Sequence, residues 1–192
     1  MATSEEKRDK HFPLFAHDNL IRRLFAPPPR LVEPYVTNGQ VVADLGCGPG
    51  YYTLALAELV GPEGRVYAVD SDEKAIRALE KKANKHGHHN IETHASSASD
   101  LSFIKDASVD FVLANGLLCS MAPQHHESAV NEMRRILKPT GRAYVSAARG
   151  FYSYMGKEEW EKILEGFRVE QRGGDGFLAI SDRWALVSTK QQ

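Results

Sequence analysis

The ten residues Val41-Val42-Ala43-Asp44-Leu45-Gly46-Cys47-Gly48-Pro49-Gly50 combine an apolar run with a glycine-rich one. Glycine tolerates positive φ angles and lets the backbone approach a neighbour or a ligand closely. A mostly apolar segment from Thr53 to Val60 comes next. The pattern therefore predicts a strand, a tight turn that binds a small molecule, and a helix. The alternative is a glycine turn needed only to pack the strand against the helix.

The same alternation of strand and helix continues along the chain. Further strands are predicted over Arg65–Asp70, Asn90–His94, Val109–Asn115, Gly141–Ala147, Phe167–Gln171 and Trp184–Thr189. Amphipathic runs predict helices between them, capped by Asp72, ended by Lys138-Pro139, and spanning Lys157–Glu165. Strands that alternate with helices pair in parallel, and the last two strands read as a hairpin. We therefore predict an α/β fold with a doubly wound, mostly parallel sheet of seven strands and an antiparallel C-terminal hairpin.

The chain is predicted to form one domain over residues 37–192 with an N-terminal extension. Residues 1–10 are charged and aperiodic, which is typical of a mobile tail. Residues 11–36 contain two short amphipathic runs, His17–Phe25 and Arg30–Val36, separated by three prolines that forbid a continuous helix. These runs form either a lid over the site or a cover for an open edge of the core.

Composition excludes several classes of protein. With 24 basic and 25 acidic residues among 192, the chain lacks the positive field of nucleic-acid binders. The first ten residues are too polar for a signal peptide, and no apolar run reaches the ~18 residues of a membrane span. Cys47 and Cys119 lack metal-site spacing, and His86, His88 and His89 flank Gly87 like a solvated helix end. We expect a cytoplasmic protein with a small-molecule partner, no metal, and an oligomeric state that the sequence does not indicate.

The spacing of glycines and acids indicates which ligand the turn binds. In open α/β sheets, ligands bind beyond the carboxyl ends of the strands. A dinucleotide fingerprint has the spacing GxGxxG, whereas Gly50 comes one residue too early, and Asp44 would repel a pyrophosphate. Asp70 ends the next strand, where an acid can accept hydrogen bonds from ribose hydroxyls. These features favour a nucleoside with a cationic end over a nicotinamide dinucleotide.

On these residues the chain resembles the class I S-adenosylmethionine-dependent methyltransferases, which have a Rossmann-like fold. VVADLGCGPG is similar to the first motif of the family, VYAVDSD to its acidic second strand, ASDLSF to its adenine loop, and MRRILKPTGRAYVSA to its helix into strand five. The general likeness is to small-molecule enzymes such as those of quinone biosynthesis. The resemblance implies a cofactor, S-adenosylmethionine, and the cofactor-binding residues Asp44, Gly46, Cys47, Gly48, Gly50, Asp70, Ser71, Ser97, Ala98 and Asn115.

The resemblance assigns these residues to parts of the cofactor. Asp44 and the backbone of the turn hold the methionine portion, Asp70 holds both ribose hydroxyls, and Ala98 meets adenine. Many relatives carry an aspartate where Ser97 stands, so a neighbouring polar group or stacking replaces that carboxylate here. The carbonyl of Asn115 is placed to reach the amino group of the cofactor.

Catalytic residues are less clearly indicated. Methyl transfer depends chiefly on positioning, which supplies on the order of 7 to 11 kcal/mol of the barrier. A histidine or tyrosine near the strand ends could accept a proton from the substrate, and we select His125 and Tyr152. His125 and His126 could instead simply begin a helix in solvent. The expected function is methyl transfer from S-adenosylmethionine to a small acceptor; the alternatives are a noncatalytic module that binds this cofactor and an NAD-dependent oxidoreductase.

Overall fold

The structure is a computed structural model that describes residues 28–147, 155–174 and 183–190. The strands are β1 (Val41–Leu45), β2 (Arg65–Asp70), β3 (Ile91–Ala95), β4 (Val109–Asn115), β5 (Leu137–Ala147), β6 (Arg168–Gly173) and β7 (Arg183–Ser188). The helices are α1 (Pro28–Val32), α2 (Thr53–Val60), α3 (Glu73–His86), α4 (Leu117–Ser120), α5 (His126–Ile136) and α6 (Lys157–Glu165), with a short 3₁₀ turn over Pro123–His125.

The seven strands form one sheet in the order β3-β2-β1-β4-β5-β7-β6. β1 to β5 pair in parallel, and β7 runs antiparallel to both β5 and β6. This arrangement confirms the predicted fold class, including the antiparallel C-terminal strands. The strand order changes direction at β1, which lies between β2 and β4, so a ligand crevice is expected beyond the carboxyl ends of these three strands.

Two elements differ most from their predicted bounds, whereas β3, β6 and β7 are shifted by only one or two residues. β5 begins at Leu137 rather than at Gly141, because Leu137 already pairs with Val109 before the register shifts at a bulge. α1 was expected over Arg30–Val36 but begins within the prolines and ends at Val32. Proline fits the first turn of a helix, where its missing N–H costs nothing, and the residue before Pro34 is biased away from helix.

Helices cover both faces of the sheet. On one face, α5 and α6 bury an apolar cluster that includes Val112, Met133 and Trp160. On the other face, α1 and α2 pack over β1 and β4, where Val32 is fully buried and Tyr35 stacks on Phe111 with ring centroids 5.8 Å apart. Residues 28–36 thus contribute to the core, and a covering role for residues 11–36 stays a prediction because His17–Phe25 lies outside the described residues.

Within the described ranges, no helix has both the length and the apolar character that crossing a membrane requires. The same ranges contain no group of three or more histidine, cysteine or acidic side chains arranged to hold a metal ion.

Candidate functional site

The turn after β1, residues 46–50 (hereafter the glycine turn), is built on positive φ angles of 74° at Gly46, 53° at Gly48 and 87° at Gly50. The N–H groups of Gly46 and Cys47 both donate to the carbonyl of Val69, at 2.8 and 3.1 Å, which ties the turn to the end of β2. β-Branched or bulky residues rarely adopt such angles. The glycines therefore fix the path of the backbone beyond the carboxyl edge of the sheet.

Gly50 also has a packing role. A Cβ atom at this position would lie 2.4 Å from Cδ1 of Leu79, which is fully buried in α3. The alternative explanation, a turn needed only for packing, thus applies to Gly50. At Gly46, whose surface is exposed, packing is a smaller constraint, because an added Cβ would lie 3.1 Å from Cδ1 of Leu117.

Asp70 lies at the end of β2 and faces the glycine turn. Its Oδ2 accepts a hydrogen bond of 2.8 Å from the N–H of Gly48, and its Oδ1 accepts one of 2.8 Å from the N–H of Asp72. Each carboxylate oxygen has a second lone pair, so both can still accept a hydrogen bond from a ligand hydroxyl. The half-buried Asp70 therefore has the chemistry to hold the two vicinal hydroxyls of a ribose.

Asp44, in β1, is only 3% exposed, and its Oδ2 accepts a 2.7 Å hydrogen bond from the hydroxyl of Thr53. Burial raises the pKa of the Asp44 carboxyl to about 7, the Thr53 hydrogen bond opposes this rise, and the negative charge of Asp70 adds to it. A buried carboxylate without a cation is unfavourable, and a positively charged ligand would relieve that cost. The acids of β1 and β2 thus fit a cationic nucleoside better than a diphosphate.

Residues 96–100 (hereafter the serine loop) follow β3 and lie beside Asp70. The N–H of Ser96 donates to the carbonyl of Asp70 at 3.1 Å, and Ala98 is 3% exposed. Ser97 and Ser99 share a hydrogen bond of 2.8 Å between their hydroxyl oxygens. Hydroxyls both donate and accept, so this pair can present either function to a base where a carboxylate could only accept.

The remaining predicted cofactor residues lie at the same edge. Asn115 ends β4, and its Oδ1 accepts a 2.7 Å hydrogen bond from the hydroxyl of Ser146, which itself accepts one of 3.0 Å from the N–H of Gly116. Ser71 is exposed where β2 ends. Burial, followed by the charges of Asp44 and Asp70, raises the pKa of the Cys47 thiol well above its usual range. That thiol therefore stays protonated at neutral pH, which disfavours a role as a nucleophile.

The two catalytic candidates fare differently. Tyr152 lies outside the described residues. His125 ends the 3₁₀ turn and is half-buried. His126 does begin α5, but not in solvent: its ring is 3% exposed, with Nδ1 at 2.9 Å from Oε1 of Glu159 and Nε2 at 3.1 Å from the carbonyl oxygen of Met121. The ring ties α5 to α6.

Sequence reasoning missed two side chains that support the site. Thr53 is fully buried and holds Asp44, and the Nζ of Lys82 donates to the carbonyl of Pro49 at 3.0 Å. A polar residue at the start of an otherwise apolar helix was a usable signal for Thr53. Lys82 gave none, because its partner lies 33 residues away and its neighbours Lys81 and Lys85 are exposed.

Comparison with known proteins agrees with this geometry. The family described as "Methyltransferase domain" matches residues 42–141, a little over half of the chain. A demethylmenaquinone methyltransferase of Geobacillus stearothermophilus is 37% identical over 106 residues, which are 55% of this chain and 44% of that protein. The chain thus matches less than half of the length of this curated relative.

Solved structures share the fold over nearly the whole chain. A SAM-dependent methyltransferase from Aquifex aeolicus has a TM-score of 0.71 at 24% identity, covering 93% of this chain and 98% of that one. The protein PH0226 from Pyrococcus horikoshii OT3 has a TM-score of 0.77 at 20% identity, covering 93% and 96%. The predicted family is confirmed: with an acid-flanked glycine turn after β1, an acid at the end of β2 and a family match over residues 42–141, the chain belongs to the methyltransferase domain family.

Proposed function

We propose that this chain transfers a methyl group from S-adenosylmethionine to a small-molecule acceptor at the carboxyl edge of β1, β2 and β4. The observation that carries the proposal is the pairing of two acids around the glycine turn. Asp70 is held in place by the N–H of Gly48, at 2.8 Å, with lone pairs to spare. Asp44 is a buried carboxylate whose pKa is not influenced by any cationic side chain among the described residues.

Each part of the cofactor has a partner in this arrangement. Asp70 accepts from the ribose hydroxyls, and the adjacent Ser71 is exposed on the same rim. Asp44 attracts the positive charge of the methionine portion, whose polar groups meet the backbone of Gly46, Cys47, Gly48 and Gly50 and the carbonyl of Asn115. The backbone of Ala98 and the hydroxyl of Ser97 receive the adenine base.

When bound, the cofactor supplies an electrophilic methyl group on a positively charged sulfur. The acceptor atom forms a bond to the methyl carbon while the carbon–sulfur bond breaks and its electron pair returns to sulfur. The protein contributes orientation of the two reactants, which can supply on the order of 7 to 11 kcal/mol of the barrier, and excludes water. Because the positive charge disappears from sulfur, a field that favours the cation also helps to select the methylated form of the cofactor.

For the acceptor we propose an aromatic small molecule of the quinone-precursor type. The support is the 37% identity to a demethylmenaquinone methyltransferase across the same part of the chain. We propose His125 as the group that accepts a proton from the acceptor, because it is half-buried and lies five residues beyond Ser120, the last residue of the helix that follows β4. Tyr152 remains the other candidate for that role.

Calorimetry on the purified chain tests the cofactor. We expect S-adenosylhomocysteine to bind, NAD to give no heat, and Asp70→Ala to abolish binding. Binding of NAD alone would overturn the proposal.

Turnover is tested with cofactor labelled on the methyl group, a demethylated naphthoquinol and a catechol as acceptors. Transfer of label to the ring compound supports the proposal. Cofactor binding without transfer to either acceptor or to a metabolite extract would favour a noncatalytic binding module.

A further inference from the structure

Residues 96–108 (hereafter the β3–β4 segment) connect β3 to β4 without any helix or strand. The segment begins with the serine loop, and the N–H of Ser96 donates to the carbonyl of Asp70 at 3.1 Å. Holding a loop of this length in one conformation costs conformational entropy. A loop that presents backbone groups to a ligand is therefore usually held by contacts with the rest of the protein. In the described residues, these contacts come from α5.

The guanidinium group of Arg135, in α5, forms hydrogen bonds to the middle of the segment. Its Nη1 donates to the carbonyl of Ile104 at 2.8 Å and also contacts the carboxylate of Asp106. Its Nη2 donates to the carbonyl of Leu101 at 2.8 Å. One planar group thus closes on two backbone carbonyls and one side chain of the segment, a geometry that only the fork of an arginine provides.

Glu132, one turn earlier on α5, completes the attachment. Its Oε2 accepts a 2.7 Å hydrogen bond from the N–H of Leu101, and its two oxygens accept from Nε and Nη2 of Arg135 at 2.7 and 2.8 Å. Leu101 therefore has both its N–H and its carbonyl held by the pair, and its side chain is fully buried. Charge-assisted bonds of this kind are about twice as strong as neutral ones.

The attachment lies close to the serine loop in sequence. The N–H of Asp100 donates to the carbonyl of Ser97 at 3.0 Å, and the hydroxyl of Ser96 donates to the carbonyl of Asp100 at 3.1 Å. Leu101 follows at once. A shift of Leu101 would therefore move Asp100, and with it the backbone of residues 96–98.

We propose that Glu132 and Arg135 are positioning residues for the adenine base: acting through Leu101, they fix the serine loop at the spacing that the base requires. The inference rests on the proposed function, because it assigns the serine loop to adenine. In this proposal both side chains bond to residues 101–106 and not to the cofactor, so a structural role alone would lower stability without changing which part of the cofactor is recognised.

The test compares two ligands that differ only in the base. S-Adenosylhomocysteine carries adenine, whereas S-ribosylhomocysteine carries the same ribose and amino acid without it. The ratio of their dissociation constants, measured by calorimetry, isolates the contribution of the base. We expect Arg135→Lys and Glu132→Gln to weaken S-adenosylhomocysteine on the order of tenfold, the worth of one charge-assisted bond, and to leave S-ribosylhomocysteine within about twofold.

The control is an arginine–glutamate pair within α3, in which Nη1 of Arg77 lies 2.9 Å from Oε2 of Glu73 and neither side chain bonds to a loop in the described part of the chain. Arg77→Lys and Glu73→Gln should leave both constants unchanged. Arg135→Ala is measured with both ligands at a temperature at which its circular dichroism matches that of the wild type. If Arg135→Ala is unfolded at every temperature, the test rests on the milder variants Arg135→Lys and Glu132→Gln.

A ratio that stays at the wild-type value in both Arg135→Lys and Glu132→Gln would overturn the inference, whether neither ligand or both ligands equally bind more weakly. If the wild-type chain itself binds no S-adenosylhomocysteine, the proposed function fails, which is a different result from a variant that keeps the wild-type ratio.

Discussion

The carboxylate of Asp70 accepts a 2.8 Å hydrogen bond from the backbone N–H of Gly48, a residue that precedes it by 22 positions. The bond joins the glycine turn after β1 to the end of β2, so the conformation of the turn and the direction of the acid depend on each other. A ligand that binds both features finds them already arranged and loses less entropy on binding. Disturbing either partner should therefore weaken ligand binding as well as lower stability.

Asp70→Asn tests this dependence. The amide nitrogen of asparagine cannot accept a hydrogen bond, so one of the N–H groups of Gly48 and Asp72 loses its acceptor and one ribose hydroxyl loses a charged partner. We expect a loss of about 1–3 kcal/mol in the free energy of unfolding, measured with urea, and at least a tenfold weaker affinity for S-adenosylhomocysteine.

The matched control is Asp72→Ala. Asp72 caps α3 by accepting a 2.8 Å hydrogen bond from the N–H of Lys74. Losing this cap should cost about 1 kcal/mol of stability and leave affinity unchanged. An equal loss of affinity in both variants would contradict the special role of Asp70.

Asp44→Asn is expected to stabilise the ligand-free protein at pH 8. Burial raises the pKa of Asp44 to about 7 in the folded chain, well above its value in an unfolded chain, so the folded state binds the proton more tightly. The free energy of unfolding therefore falls as pH rises from about 4 to about 7, by at most about 4 kcal/mol. Urea titrations at pH 5 and pH 8 should show the stability of the variant relative to the wild type growing by up to about 3 kcal/mol between these two pH values.

The same group predicts how affinity depends on pH. A cationic ligand prefers the ionised Asp44, so affinity for S-adenosylmethionine should fall as pH is lowered from 8 to 5.5, by up to about 30-fold. Thr53→Val removes the hydrogen bond that opposes the raised pKa of Asp44, so the midpoint of this fall should move to higher pH. Asp44→Asn should bind weakly and show no such fall. A pH profile identical in all three proteins would exclude Asp44 as the titrating group.

Variants of the adjacent residues His125 and His126 should have different effects, one on catalysis and the other on stability. His126→Ala leaves the carbonyl of Met121 and the carboxylate of Glu159 without their shared partner, and we expect a loss of about 1–3 kcal/mol in stability. His125→Ala should leave stability and cofactor affinity near wild type but lower kcat by at least about 100-fold if His125 accepts the proton. Unchanged kcat in His125→Ala would transfer that role to Tyr152.

Short-range patterns predicted the fold, and they predicted that the glycine turn and the two acids lie together at one edge of the sheet. The glycine turn and its two acids lie next to strands that the apolar runs identify, and the edge at which parallel strands end is set by topology. What the sequence did not indicate are contacts between distant residues: Arg135 with Leu101, or His126 with Glu159, which are 34 and 33 positions apart. Nothing local marks these side chains, because their partners are backbone carbonyls or acids on another helix.

The start of β5 shows a second limit. Pro139 ends α5 as proline should, but pairing of Leu137 with Val109 makes residues 137–140 part of the strand. Pairing with β4 therefore decided the assignment, and propensity did not.

Gly50→Ala separates backbone strain from packing. Gly50 has a φ of 87°, and an added Cβ would lie 2.4 Å from Cδ1 of Leu79. Gly87 has a φ of 71° with nothing within 4 Å of an added Cβ. Gly87→Ala thus measures the cost of the left-handed backbone alone, about 1–2 kcal/mol in the free energy of unfolding. Gly50→Ala should cost more, by the typical 1–3 kcal/mol of overpacking.

A double-mutant cycle with Leu79→Ala checks the assignment of that extra cost. Leu79→Ala alone should destabilise by about 2–5 kcal/mol, because it leaves a cavity beneath the turn. In the double variant Gly50→Ala/Leu79→Ala, the methyl group that collides with the new Cβ is absent. The double variant should therefore lose less stability than the sum of the two single losses, by at least about 0.5 kcal/mol. The pair Gly87→Ala and Leu79→Ala should be additive. Additivity for Gly50 and Leu79 as well would mean that α3 moves aside at no cost, and the glycine would then serve the turn and its ligand alone.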